Sequence, residues 1–157
     1  MGMSRVTGFE TSAWRSENVP LPRSHLLGIV IGLSLEGVRR WKIPISRRTA
    51  GVLGSIALSL NVALLTWAVS ALGRVDSRIP EQLVAHGPYR FSRNPMYVGW
   101  TGLYLGLAVL RRSGWMLLFA PCIAGVVHVT VRREEAELER AFGQSYHAYR
   151  DRVARCV

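Results

Sequence analysis

The stretch AGVLGSIALSLNVALLTWAVSAL, residues 50–72, runs for 23 positions without a charged side chain. At about 1.5 Å per helical residue, such a run is long enough to cross a hydrocarbon core roughly 30 Å thick. Two more uncharged runs lie downstream, 96–110 and 114–131, and the residues between them, Arg111, Arg112, Ser113 and Gly114, read as a tight hairpin turn. Each run is short alone but plausible as half of a pair. Upstream, Leu26 to Leu35 form a ten-residue apolar core closed by Glu36, a short or partly interfacial fourth helix. The expected fold is therefore an all-α integral membrane bundle of about four transmembrane helices, ending in a helical hairpin. Residues 1–23 are expected to be a poorly ordered lead-in, and 24–157 a single membrane domain.

Composition supports this reading. The chain has 157 residues, 49% of them apolar, and a formal net charge of +10. A basic soluble domain of this size would point to nucleic acid, but here the charges sit between long apolar runs and form no continuous stripe for tracking phosphates. Nucleic acid is set aside as a partner. If the N-terminus, the 74–93 loop and the C-terminus share one side, that side holds thirteen of the Lys and Arg residues and the other holds seven. Positive side chains near spans are retained in the cytoplasm, so the richer side is read as cytoplasmic. The 39–48 loop, with five basic residues on the poorer side, fits this rule badly. No secretory signal is visible in residues 1–23, which contain Glu10 and Glu17. Cys122, in mid-span, and Cys156 have no metal-ligand spacing, and no metal is expected.

Two polar segments interrupt this apolar pattern. The first, GPYRFSRNPMYVG at 87–99, has Asn94 before Pro95, a helix-start signal: asparagine can cap free backbone N–H groups, and proline suits the first helical turn. The positive end of the following helix then lies at the water boundary, where an anion can bind. Gly87 and Pro88 force a turn that holds Tyr89 nearby. Gly99, Gly102 and Gly106 lie along one face of the helix and allow close packing. The second segment, VRREEAELERAFGQSYHAYRDRV at 131–153, reads as the last span continuing into water, with Gly143 as its C-cap. Glu134 then lies about one turn above the membrane edge, Arg133 and Glu137 form an i,i+4 pair, and Tyr146, Tyr149 and Val153 pack a final short helix. His128 reads as a hydrogen-bonded interior histidine, and His86 as a surface residue.

Together, LVAHGPYRFSRNPMYVG at 83–99 and EEAELERAFGQSYHAYRDRV at 134–153 resemble the isoprenylcysteine carboxyl methyltransferase and phospholipid N-methyltransferase group. The resemblance covers roughly the last half of the chain, with the order, spacing and intervening hairpin all matching. It implies a membrane enzyme that binds S-adenosylmethionine in a cytoplasm-facing pocket. By carry-over, Leu83, Val84, Tyr89, Asn94, Pro95, Met96 and Tyr97 surround the cofactor, and Glu134 or Glu135 completes the site. The acceptor is lipophilic or membrane-associated, whether carboxylate, amine or thiol. Glu134 or Glu135 would take a proton from an ammonium acceptor, while Arg132 or Arg133 would pair with an acidic one. Three departures bear on substrate handling. Asn94 stands where many relatives have histidine, Glu81 where many have another histidine, and Thr130 where arginine is frequent. The competing readings are a sterol-type reductase using NADPH, whose longer chain and distinctive tail are missing here, and a non-catalytic membrane scaffold or lipid-binding protein.

Overall fold

Lipid offers the backbone no hydrogen-bond partners, so segments as apolar as 50–72 must satisfy their own peptide groups as helices. The structure, a computed structural model, describes residues 23–72 and 83–156. The 1–22 segment and Glu81 lie outside them. Among the described residues there are five α-helices: α1 Arg23–Val38, α2 Arg47–Leu72, α3 Pro95–Arg111, α4 Gly114–Phe142 and α5 Gln144–Arg150. A single 3₁₀ turn spans Gly87–Arg90. The all-helical expectation holds. Two helices, α2 and α4, are long and apolar enough to cross a membrane, whereas α1 and α3 are shorter, at 16 and 17 residues.

The surface is apolar where a water-soluble protein would be polar. Leu60 is 65% exposed, Val30 61% and Val126 54%, while the buried positions of α2 are Ala50, Gly54, Ala68 and Ala71. Helices in lipid gain little by hiding large apolar side chains from each other, so small residues meet at their interfaces and large ones face outward. In water, a girdle of this kind would be an exposed patch far beyond the few hundred Å² usual for a monomer.

Helices α2 and α3 pack along each other. At Gly54 a Cβ would lie 2.8 Å from the Leu110 Cα, and at Gly106 it would lie 3.1 Å from the Ala57 Cβ. The small-residue face read from Gly99, Gly102 and Gly106 is thus used inside the chain. Helix α1 packs on α4, with Gly28 and Gly32 against Ile123 and Met116. Tyr104, Ala108, Met116 and Ile123 form the central cluster, and the Tyr104 hydroxyl donates to the Met116 carbonyl at 2.6 Å.

The connections gather at two opposite ends. At one end, the 39–46 loop meets the α3–α4 turn: the Ile43 N–H donates to the Arg112 carbonyl at 3.0 Å, and the Gly114 N–H to the Trp41 carbonyl at 2.9 Å. Arg112 takes the left-handed conformation here, at φ 55°, to end α3. At the other end, the 83–94 segment meets α5 and the C-terminal residues: the Arg93 N–H donates to the Ala154 carbonyl at 2.9 Å, and the Tyr149 hydroxyl to the Tyr89 carbonyl at 2.6 Å. The described part of the 74–93 loop thus lies with the C-terminal residues, as expected, while the N-terminal segment of that grouping lies outside the described residues.

Several local expectations change. Helix α1 continues past Glu36 to Val38, because the buried Glu36 carboxylate pairs with Lys42 instead of ending the helix. The interior histidine is His25, 2% exposed, with Nε2 3.0 Å from Thr101 Oγ1, whereas His128 is exposed on α4. Arg133 and Glu137 are both exposed and do not appear among the described ion pairs; Glu139 instead meets His147 at 3.1 Å and Arg150 at 3.4 Å. Gly143 ends α4 at φ 49° as expected, and Tyr146 and Tyr149 bury the face of α5.

Candidate active site

The start of α3 differs from its expected form. Asn94 precedes Pro95, but its side chain does not cap the helix. It turns away to donate from Nδ2 to the Arg155 carbonyl at 3.1 Å, drawn there by the C-terminal residues that run beside Ser92. Only the Asn94 carbonyl serves the first turn, accepting the Val98 N–H at 3.2 Å. Pro95 has no N–H to satisfy. The N–H groups of Met96 and Tyr97 therefore have no acceptor among the described residues, at the positive end of a 17-residue helix.

Met96 and Tyr97 line a cavity of about 270 Å³. Leu83, Val84, Tyr89, Asn94, Pro95, Met96, Tyr97 and Glu134 all line it, so residues from both polar segments meet in one place. Leu72, Arg93, Leu138, Phe142 and Tyr149 complete the wall, and sequence reasoning missed them. Leu138 and Phe142 follow Glu134 at i+4 and i+8 on one helical face, a spacing visible in the sequence. Arg93 had no comparable signal. Its guanidinium is 3.2 Å from the Glu135 carboxylate, and its Nε is buried without a partner among the described residues.

The two adjacent glutamates are placed differently. Glu134 points into the cavity, where its Oε1 accepts the Tyr97 hydroxyl at 2.6 Å. Glu135, about 100° further round the helix, is 7% exposed and holds Arg93 and Arg155, the latter at 2.8 Å. It clasps α4 to the α3 entry and to the C-terminal residues. Arg132 and Arg133 are exposed and outside the cavity lining. At the cavity wall, burial and the neighbouring Tyr149 raise the pKa of the Tyr89 hydroxyl. Burial pushes Tyr149 up to about 12, so it remains a neutral donor to the Tyr89 carbonyl at working pH.

Tyr97 also lines a second cleft, of about 440 Å³, between α3 and α4. Leu105, Val127 and Val131 make its walls apolar, and His128 and Arg155 add polar groups. A single side chain thus borders both a polar-mouthed cavity and an apolar cleft.

Fold and site together describe a small all-helical membrane protein with a cavity at one end of its bundle. A sequence model of the phospholipid methyltransferase family matches residues 49–145, from the start of α2 into α5, and the chain belongs to that family. Its members are methyltransferases of lipid-type substrates and generally depend on S-adenosylmethionine. No curated protein and no solved structure matches the chain.

Proposed function

We propose that the chain methylates an amine on the headgroup of a membrane lipid, using S-adenosylmethionine bound in the cavity at the start of α3. The observation that carries this reading is the convergence of unpaired donors and a held carboxylate on one cavity. The unpaired Met96 and Tyr97 N–H groups suit the cofactor's carboxylate. The apolar walls at Leu83, Val84, Leu138 and Phe142 suit its adenosine. When bound, the sulfonium supplies an electrophilic methyl group.

The chain's own residues then align and deprotonate the acceptor. The apolar cleft bordered by Leu105, Val127 and Val131 takes the acyl part of the lipid, bringing its headgroup to Tyr97. Tyr97 holds Oε1 of Glu134 and leaves Oε2 free to take the ammonium proton, exposing the nitrogen lone pair. A carboxylate acceptor would meet the like charge of Glu134, while Arg132 and Arg133 lie too far out on the surface to offset it.

The test is methyl incorporation in lipid nanodiscs containing phosphatidylethanolamine, read by mass spectrometry of the extracted lipid. Methylated headgroups formed by the wild type, with a rate loss of roughly 10²- to 10⁴-fold in Glu134→Gln, are expected. Methylation of a prenylated cysteine carboxylate, with none of the amine lipid, would overturn the acceptor assignment.

A further inference from the structure

At the end of the bundle opposite the candidate active site, a cavity of about 740 Å³ opens between the 39–46 loop, the start of α2 and the end of α3. Arg40, Lys42, Arg47, Arg111 and Arg112 line it, with Glu36 as its acidic residue. Lys42 is already paired: it meets Glu36 and donates to the Arg111 carbonyl at 2.9 Å. Arg112 donates from its guanidinium to the Ile43 carbonyl at 3.3 Å, and its Nε is buried without a partner. The side chains of Arg40, Arg47 and Arg111 have no hydrogen-bond or ion-pair partner among the described residues. Four guanidinium groups thus surround one opening with a single carboxylate between them, and that carboxylate is taken by Lys42.

Like charges gathered this closely repel unless an anion joins them. The pKa of Lys42 is lowered, by burial first and then by the nearby charges of Arg111, Arg112 and Arg47. Three of the cavity's basic residues, Arg40, Lys42 and Arg47, belong to the 39–48 loop, whose five basic residues are the anomaly on the side where basic residues are scarce. A bound anion accounts for both the crowding and its location.

The surroundings select the kind of anion. Leu33 and Leu110, each 36% exposed, line the apolar part of this cavity. Trp41 and Trp115 pack edge to face at the same end, 5.3 Å between ring centres, and the indole N–H of Trp115 donates to the Arg39 carbonyl at 2.8 Å. Tryptophans of this kind mark headgroup depth. A cavity lined by both guanidinium groups and leucine side chains at that depth matches a lipid with a charged headgroup.

We propose that this cavity binds the phosphate of an anionic phospholipid, at a site separate from the methyl-transfer chemistry. Arginine forks bind phosphate bidentately, so Arg40, Arg47 and Arg111 would contribute most of the recognition. The experiment is native mass spectrometry of the full chain released from phosphatidylcholine nanodiscs with and without phosphatidylglycerol, alongside melting temperatures in detergent. The wild type should retain one phosphatidylglycerol and melt higher in its presence. The triple variant Arg40→Gln/Arg47→Gln/Arg111→Gln should lose both effects, while Arg90→Gln/Arg140→Gln/Arg152→Gln, which removes equal charge elsewhere, should keep them. Arg40→Lys/Arg47→Lys/Arg111→Lys preserves the charge and should retain the lipid more weakly, which guards against misfolding of the glutamine triple. Equal retention by the wild type and the glutamine triple would overturn the proposal. So would the same rise in melting temperature from soluble pyrophosphate with no lipid retained, which would make the ligand a free phosphate.

Discussion

Tyr97 and Glu134 stand 37 residues apart in sequence, and a 2.6 Å hydrogen bond joins them at the cavity. A hydroxyl donated to a carboxylate contributes about 1.5–3 kcal/mol. Tyr97→Phe should therefore let Glu134 swing, lowering kcat by roughly 10- to 100-fold, while the melting temperature falls by no more than the loss of this one bond accounts for. Steady-state kinetics beside a thermal melt distinguishes this from simple destabilisation. Glu135 should behave in the opposite way. Replacing it with Gln leaves the Arg93 guanidinium, 9% exposed, without its buried counter-charge, and should cost about 3 kcal/mol of stability. A comparable loss of stability in Glu134→Gln would contradict the division of labour between the two glutamates. Sequence alone left that division open, because both residues are acidic, adjacent and inside the same motif. What separates them is the C-terminal pass of Ala154 and Arg155 beside Ser92 and Asn94, a long-range contact with no sequence signature. The same contact draws the Asn94 side chain away from capping, which residue type had predicted.

At the scale of elements, small residues set the distance between helices. Gly54 on α2 faces the backbone of Leu110 on α3, and backbone does not yield as a flexible side chain would. Gly54→Ala should cost about 1–3 kcal/mol by overpacking. Gly51→Ala, one turn away with nothing within 4 Å of the added Cβ, should change the melting temperature little. Equal melting of the two variants in detergent would contradict the packing described. The glycine spacing in α3 was legible from the sequence, as were the hairpin at 111–114 and the C-cap at Gly143. The length of α1 was not, since Glu36 looks like a terminator until Lys42 folds back onto it. That the interior histidine is His25 and not His128 has a related reason. In a bundle whose large apolar side chains face lipid, an apolar neighbourhood in sequence does not mark a buried position.

At the scale of the whole molecule, the cavity, α5 and the C-terminal residues share one end, and the 39–46 loop lies at the other. If the richer basic end faces the cytoplasm, the exposed Cys156 should react with a membrane-impermeant maleimide only from the cytoplasmic side. Ser46→Cys, in the opposite loop, should react only from outside. Labelling of Cys156 from outside in intact cells would reverse the orientation. The central claim, that the cavity at the start of α3 holds S-adenosylmethionine, is tested most directly by calorimetric binding in nanodiscs, comparing wild type with Leu138→Trp. Leu138 is 37% exposed and lines the cavity, so a larger ring there fills the space without disturbing the core. One binding site per chain in the wild type, lost in a Leu138→Trp protein of unchanged melting temperature, is the predicted result. No binding by folded wild type, or undiminished binding by the variant, would contradict it.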